Sequence, residues 1–196
     1  MSKELSVPVT PVAAARPATW LRPVGIVISA NVFLAVCAHI ALPLAFTPVP
    51  LTLQTFAVLV LGLVLPPRLA AIALATYLAE GAAGLPMFAP TPAMPGLAHL
   101  LGPTGGYLLA YPVAAALISW LWRRTGRTLA GAALSAASGN LVILGCGALW
   151  LGVITHAQAG SVLSLAVTPF LPGDALKVAA AALVAAGFER SHWHSN

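Results

Sequence analysis

Long uninterrupted apolar stretches, broken by short polar or proline-rich punctuation, dominate the chain. Six of them read as helices: Val24–Phe46, Thr52–Leu65, Arg68–Ala83, Thr104–Trp122, Leu129–Thr155 and Pro169–Phe188. The runs are continuous and lack the two-residue alternation of barrel strands, so helices are expected rather than a transmembrane barrel. A helix that crosses a bilayer needs about 20 apolar residues. The second and third segments fall short of this, and only Pro66-Pro67 separates them. Proline suits a helix start far better than a helix interior. The pattern predicts a tight hairpin of two short or tilted helices, with one broken, partly re-entrant helix as the alternative.

The punctuation is equally informative. Gly84 to Pro103 holds five prolines, three glycines and no Lys or Arg. It cannot continue a helix. Its apolar side chains (Leu85, Met87, Phe88, Met94, Leu97, Leu100) predict a lid packed over the helices rather than a solvated loop. The other connections read as shorter. Residues 1–23 read as a flexible tail, 24–188 as a six-helix domain and 189–196 as a C-terminal tail. The first apolar run begins only at Val24 and is too long for the core of a secretory signal.

Composition agrees with a membrane protein. Of the 196 residues 60% are hydrophobic and 7% are charged, against roughly 25% charged in soluble domains. The formal charge of +5 does not point to nucleic acid, because the basic residues are few and sit between apolar runs. Their distribution sets topology instead. Lys3, Arg16 and Arg22 precede the first helix. Arg68 follows the second, Arg123, Arg124 and Arg127 follow the fourth, and Arg190 follows the sixth. With six helices all eight fall on one side, which the positive-inside rule assigns to the cytoplasm. Both termini are then cytoplasmic, and the proline-rich loop between the third and fourth helices lies outside. The two cysteines, Cys37 and Cys146, sit inside apolar runs with no metal or redox spacing and read as packing residues.

The ninth basic residue, Lys177, belongs to no loop. In FLPGDALKVAA (Phe170 to Ala180) it stands three positions after Asp174, near the start of the last helix. Residues at i and i+3 share a helix face. Charged residues in spanning segments usually face a bundle interior or a wet cavity. With the unpaired N–H groups of the helix start, the pair forms a plausible receptor for a polar, partly anionic small molecule entering from outside. The competing reading is that the two charges merely neutralise each other or snorkel to the interface.

Other candidates are less charged. In LLGPTGGYLLAYP (Leu100 to Pro112), Thr104 is placed to cap the fourth helix, and Tyr107 and Tyr111 fall on one face where a flat ring could pack. Thr52, Gln54 and Thr55 open the second helix and could bind a ligand or cap the helix. Glu80 is similar, near the outer end of the third. Asn31, His39 and Asn140 lie within helices and read as hydrogen-bonding glue. Catalysis has little support. Ala137-Ser138-Gly139 holds a serine that an intramembrane hydrolase would use, but no histidine base precedes His192 on the last helix. There is no HExxH, no paired carboxylate and no Gly-x-x-x-x-Gly-Lys phosphate loop. Uphill transport would draw its energy from a partner or an ion gradient.

Taken together, TPVPLTLQTFAVLVLG (Thr47 to Gly62), the hairpin prolines with Arg68, AAGLPMFA (Ala82 to Ala89), LLGPTGGYLLAYP and FLPGDALKVAAA resemble the BioY family. These are the biotin-binding S components of energy-coupling factor transporters. The similar blocks keep their order over most of residues 47 to 182. The resemblance implies a cell-membrane, multi-pass transport subunit rather than an enzyme, six helices, and a pocket near the outer face. It implies biotin as ligand, no cofactor and no metal. It also implies a coupling transmembrane protein and two ATPase subunits as partners, in keeping with the missing phosphate loop. An S component for a different vitamin is the alternative.

In the family the Asp and Lys of the Pro-Gly-Asp-x-x-Lys segment contribute to the biotin site, and they correspond here to Asp174 and Lys177. An ionised Asp174 accepts, so a ureido N–H is its natural partner; Lys177 donates. Lys177 could meet the ureido carbonyl or the tail carboxylate. The former is favoured, because two residues on one face would then grip one ring. Tyr107, followed by Tyr77 and Phe88, is expected to flank the bicycle, with Gln54 and Thr104 as hydrogen-bonding partners. One departure concerns the small residues four apart that S components present on the first helix for docking. Here Asn31 and Ala35 have that spacing, and Ala41 and Ala45 straddle Pro43, so the docking face is not marked.

Overall fold

The computed structural model describes residues 20–90 and 95–193, with side chains to Glu189. The expected N-terminal tail, including Lys3 and Arg16, lies outside the described residues up to Thr19, as do Met94 of the loop and the last three residues.

Helices dominate. α1 (Leu21–His39) is followed by a two-stranded ribbon, β1 (Ala41–Leu42) and β2 (Leu51–Thr52). Next come α2 (Gln54–Val64), α3 (Pro67–Ala82), a short α4 (Leu97–Leu100), α5 (Gly105–Arg124), α6 (Leu129–Thr155), α7 (Ala159–Ala166) and α8 (Leu171–Trp193). Four are long and apolar enough to cross a membrane: α1, α5, α6 and the Leu171–Glu189 part of α8. At about 1.5 Å per residue, α2 is only roughly 16 Å long, half of a hydrocarbon core.

The helix starts and stops follow from local chemistry. Pro67 occupies the first turn of α3, where its missing N–H is no loss. The α2–α3 boundary thus falls at the predicted prolines, and Ser119 of α5 donates to the Leu65 carbonyl at the end of α2. Thr128 caps α6 by accepting from the Gly131 N–H at 3.1 Å.

Three differences from the sequence expectation stand out. α1 ends at His39, not Phe46, because Pro43, Pro48 and Pro50 cannot continue a helix. The chain instead reverses as an antiparallel ribbon, with Ala41 opposite Thr52 and Leu42 opposite Leu51. The loop before the last helix contains α7, and the proline-rich loop contains α4; both are too short for periodicity to reveal.

α5 is the central helix and packs on α2, α3, α4 and α6; α8 packs on α2 and α6, and α1 on α2 and α3. Small residues permit the close α5–α6 approach. A Cβ on Gly106 would overlap the Cys146 carbonyl and Trp150, and one on Gly147 would overlap the Tyr107 ring. The proline-rich loop is tied down only in part: Leu85 and Leu97, expected to pack over the helices, are exposed. Leu100 and Phe88 are buried, and Trp150 of α6 donates to the Gly102 carbonyl at 2.9 Å.

Candidate functional site

A cavity with about 520 Å³ of empty space, counted with its open mouth, lies between the β1–β2 loop, α2, α4, α5, α6 and α8. Its walls are mostly apolar: Val49 and Pro50 from the ribbon loop, Leu108 and Tyr111 from α5, Ile143 and Leu144 from α6, and Phe170 before α8.

Asp174 and Lys177 line it, as their shared helix face requires. Both are buried, at 3% and 8% exposure. Lys177 Nζ donates to Asp174 Oδ1 at 3.0 Å and to Thr55 Oγ1 at 2.8 Å. Asn140 Nδ2 of α6 donates to the other oxygen, Asp174 Oδ2, at 3.1 Å. The two charges therefore neutralise each other, as the competing reading anticipated, yet they do so in a cavity wall. A carboxylate has further lone pairs and an ammonium has a third proton, so both keep capacity for a ligand.

Gln54, Thr104 and Tyr107 also line the cavity. Gln54 Nε2 donates to Tyr77 Oη at 2.7 Å, and Tyr107 Oη donates to the Ala166 carbonyl at 2.6 Å. Thr104 occupies the cap position of α5, but its side chain makes no capping bond, contrary to expectation. Its hydroxyl remains for the cavity. Tyr77 and Phe88, expected to flank a ligand ring, stand one layer behind the wall. Tyr77 is fully buried, takes the Gln54 hydrogen bond, and donates to the Met87 carbonyl; Phe88 packs edge-on against it at 5.6 Å.

Tyr77→Phe would leave the Gln54 amide N–H and the Met87 carbonyl without this partner. The expected loss is about 1–3 kcal/mol of stability, read as a lowered unfolding temperature of the detergent-purified protein.

The sequence leaves Thr55 open between ligand contact and helix cap and reads Asn140 as hydrogen-bonding glue; both hold the charged pair. It did not single out His99, which is 6% exposed, lines the cavity from α4 and stacks on Phe88 at 5.1 Å. No spacing signal marks such residues, because tertiary packing alone brings them to the charged pair and the cavity.

The remaining polar candidates behave as glue. Asn31 Nδ2 donates to Glu80 Oε2 at 3.0 Å, joining α1 to α3. His39 bonds within its own helix, to the Ala35 carbonyl. Ser138 is half-buried and donates to the Leu134 carbonyl one turn away, an arrangement that does not resemble an activated nucleophile.

The family model described as "BioY family" matches residues 8–192. A Pyrococcus horikoshii protein named "Probable biotin transporter BioY" is 41% identical over 138 residues, 70% of this chain and 79% of that one. "Biotin transporter BioY2" of Lactococcus lactis is 35% identical over 163 residues, 83% of this chain and 87% of that one. A crystal structure described as the S-component for biotin from an ECF-type ABC transporter superposes with a TM-score of 0.80. It is 23% identical and covers 90% of this chain and 95% of that one, so the fold is shared. With a family match over nearly its whole length, the chain is a multi-pass membrane protein that belongs to the BioY family.

Proposed function

We propose that this chain is a biotin-binding membrane subunit for vitamin uptake. Asp174 and Lys177 form the centre of its ligand site, and separate ATPase and coupling subunits energise it. One observation carries the reading: the charged pair of α8 is buried in the wall of a mostly apolar cavity, in a chain whose named relatives are biotin transporters. It is a transport subunit and not an enzyme.

The cavity suits biotin. Asp174 accepts a ureido N–H, and Lys177, one turn on, donates to the ureido carbonyl. Tyr107, Tyr111 and Phe170 supply aromatic surface for the bicycle. Gln54 and Thr104 offer further hydrogen bonds, and Tyr77 and Phe88 support Gln54 and the lid from behind.

The same reading has six crossings over residues 24–188, with α2 and α3 as the short hairpin, both termini cytoplasmic and the cavity open to the outer side. The basic residues support it. Arg127, between α5 and α6, pairs with Glu189 near the end of α8 at 2.6 Å, which gathers those ends on one face. The partners are a coupling transmembrane protein and two ATPase subunits.

Titrating the detergent-purified chain with biotin tests this proposal. Ligand that binds only the folded state at 100 times its Kd adds about 2.7 kcal/mol, so the unfolding temperature should rise with biotin. A rise with another vitamin and none with biotin would reassign the ligand. No response to any vitamin would remove the binding role.

A further inference from the structure

His99 has no place in the ureido grip. It sits on α4, a four-residue helix in the proline-rich loop, which packs on α3 and α5. It is more than nine-tenths buried and lines the cavity, yet its imidazole has no hydrogen-bonding partner among the described residues. Stacking on Phe88 fixes the ring plane and leaves the two nitrogens at its edge. Burial pushes its pKa below the ordinary histidine value, so the ring is neutral in the ligand-free protein and carries one N–H donor.

Charge decides what that donor meets. At the α8 end of the cavity Asp174 and Lys177 cancel each other, and an incoming carboxylate would face a carboxylate there. Tyr107 already donates its hydroxyl hydrogen bond to the Ala166 carbonyl. Among the described residues, the unengaged side chains that can donate at the loop-to-α5 junction are His99 and Thr104. Of the two, only His99 can gain charge.

We infer that His99 is a specificity-determining residue that receives the carboxylate end of the ligand, with Thr104 beside it, while Asp174 and Lys177 hold the opposite end. This rests on the biotin reading above and assigns the two ends of the ligand to different elements. Hydrogen bonds to a charged acceptor are roughly twice as strong as those to a neutral one.

The test compares biotin with biotin amide on the purified full chain, in wild type, His99→Phe and His99→Gln. Phenylalanine keeps the stack on Phe88 and removes the donor; glutamine restores a donor without the capacity for charge. Wild type should favour the acid over the amide by roughly tenfold or more. His99→Phe should bring that ratio close to one, and His99→Gln should fall between. The ratio is insensitive to a purely structural defect, which would weaken both ligands equally. Should His99→Phe fail to fold, a wild-type ratio in His99→Gln overturns the inference and a reduced one supports it. An unchanged ratio in His99→Phe, or no preference in wild type, overturns the assignment of His99 while leaving biotin binding intact. Absence of biotin binding to wild type overturns the biotin reading itself.

Discussion

Lys177→Met is expected to destabilise the ligand-free protein by about 3–5 kcal/mol, because it strands a buried carboxylate. Asp174 is 3% exposed, and after the change Asn140 alone among the described side chains still donates to it. Thr55 loses its donor at the same time. Binding should weaken by a few kcal/mol as well, since one half of the charged contact is gone. Adding Asp174→Asn separates the two effects. A neutral pair of similar shape carries no stranded charge, and replacing a buried ion pair outright is often close to neutral for stability. The double variant should regain most of its unfolding temperature and still bind biotin poorly. A Lys177→Met protein as stable as the parent would mean that the pair is not a closed buried unit. A double variant with normal affinity would mean that the pair serves folding alone.

A second large effect is expected from one methyl group. In Gly147→Ala the new Cβ would overlap the ring of Tyr107. That ring cannot simply swing away, because its hydroxyl is tied to the Ala166 carbonyl at 2.6 Å and its other side faces Phe170 and the cavity. Overpacking of this kind typically costs about 1–3 kcal/mol. Either Tyr107 moves into the cavity and affinity falls, or α6 shifts from α5 and stability falls. Gly145→Ala on the same helix is the matched control. A Cβ there meets nothing within 4 Å, and alanine is the better helix former, so that variant should be neutral or slightly more stable. Equal behaviour of the two in thermal unfolding and biotin titration would refute the packing argument.

Much of this architecture is legible in the chain because a membrane imposes coarse rules. Runs of twenty apolar residues and prolines between runs mark helices with little ambiguity, and α6 falls at its predicted bounds, Leu129–Thr155. The rules weaken where segments are short. The end of α1 hides in an apolar stretch whose prolines forbid helix without saying what replaces it. α7 reads as ordinary loop, since eight apolar residues carry too little periodicity.

The site divides in the same way. Asp174 and Lys177 announce themselves because charge within a spanning segment is expensive. Thr55, Asn140 and His99 are polar residues of ordinary kind. They matter because of what folding brings next to them, which spacing along the chain does not encode. Tyr77 illustrates the converse. Its aromatic ring suggests a place against a ligand, but its hydroxyl links Gln54 to the Met87 carbonyl and the ring is fully buried.

The pairing of Asp174 with Lys177 on a single helix has an electrical consequence. A lone charge carried through a membrane potential exchanges about 2.3 kcal/mol with the field for every 100 mV. Two opposite charges three residues apart on α8 travel together as a dipole. Whatever path that helix takes, the work done on one nearly cancels the work done on the other. Voltage then has little hold on this pair of residues.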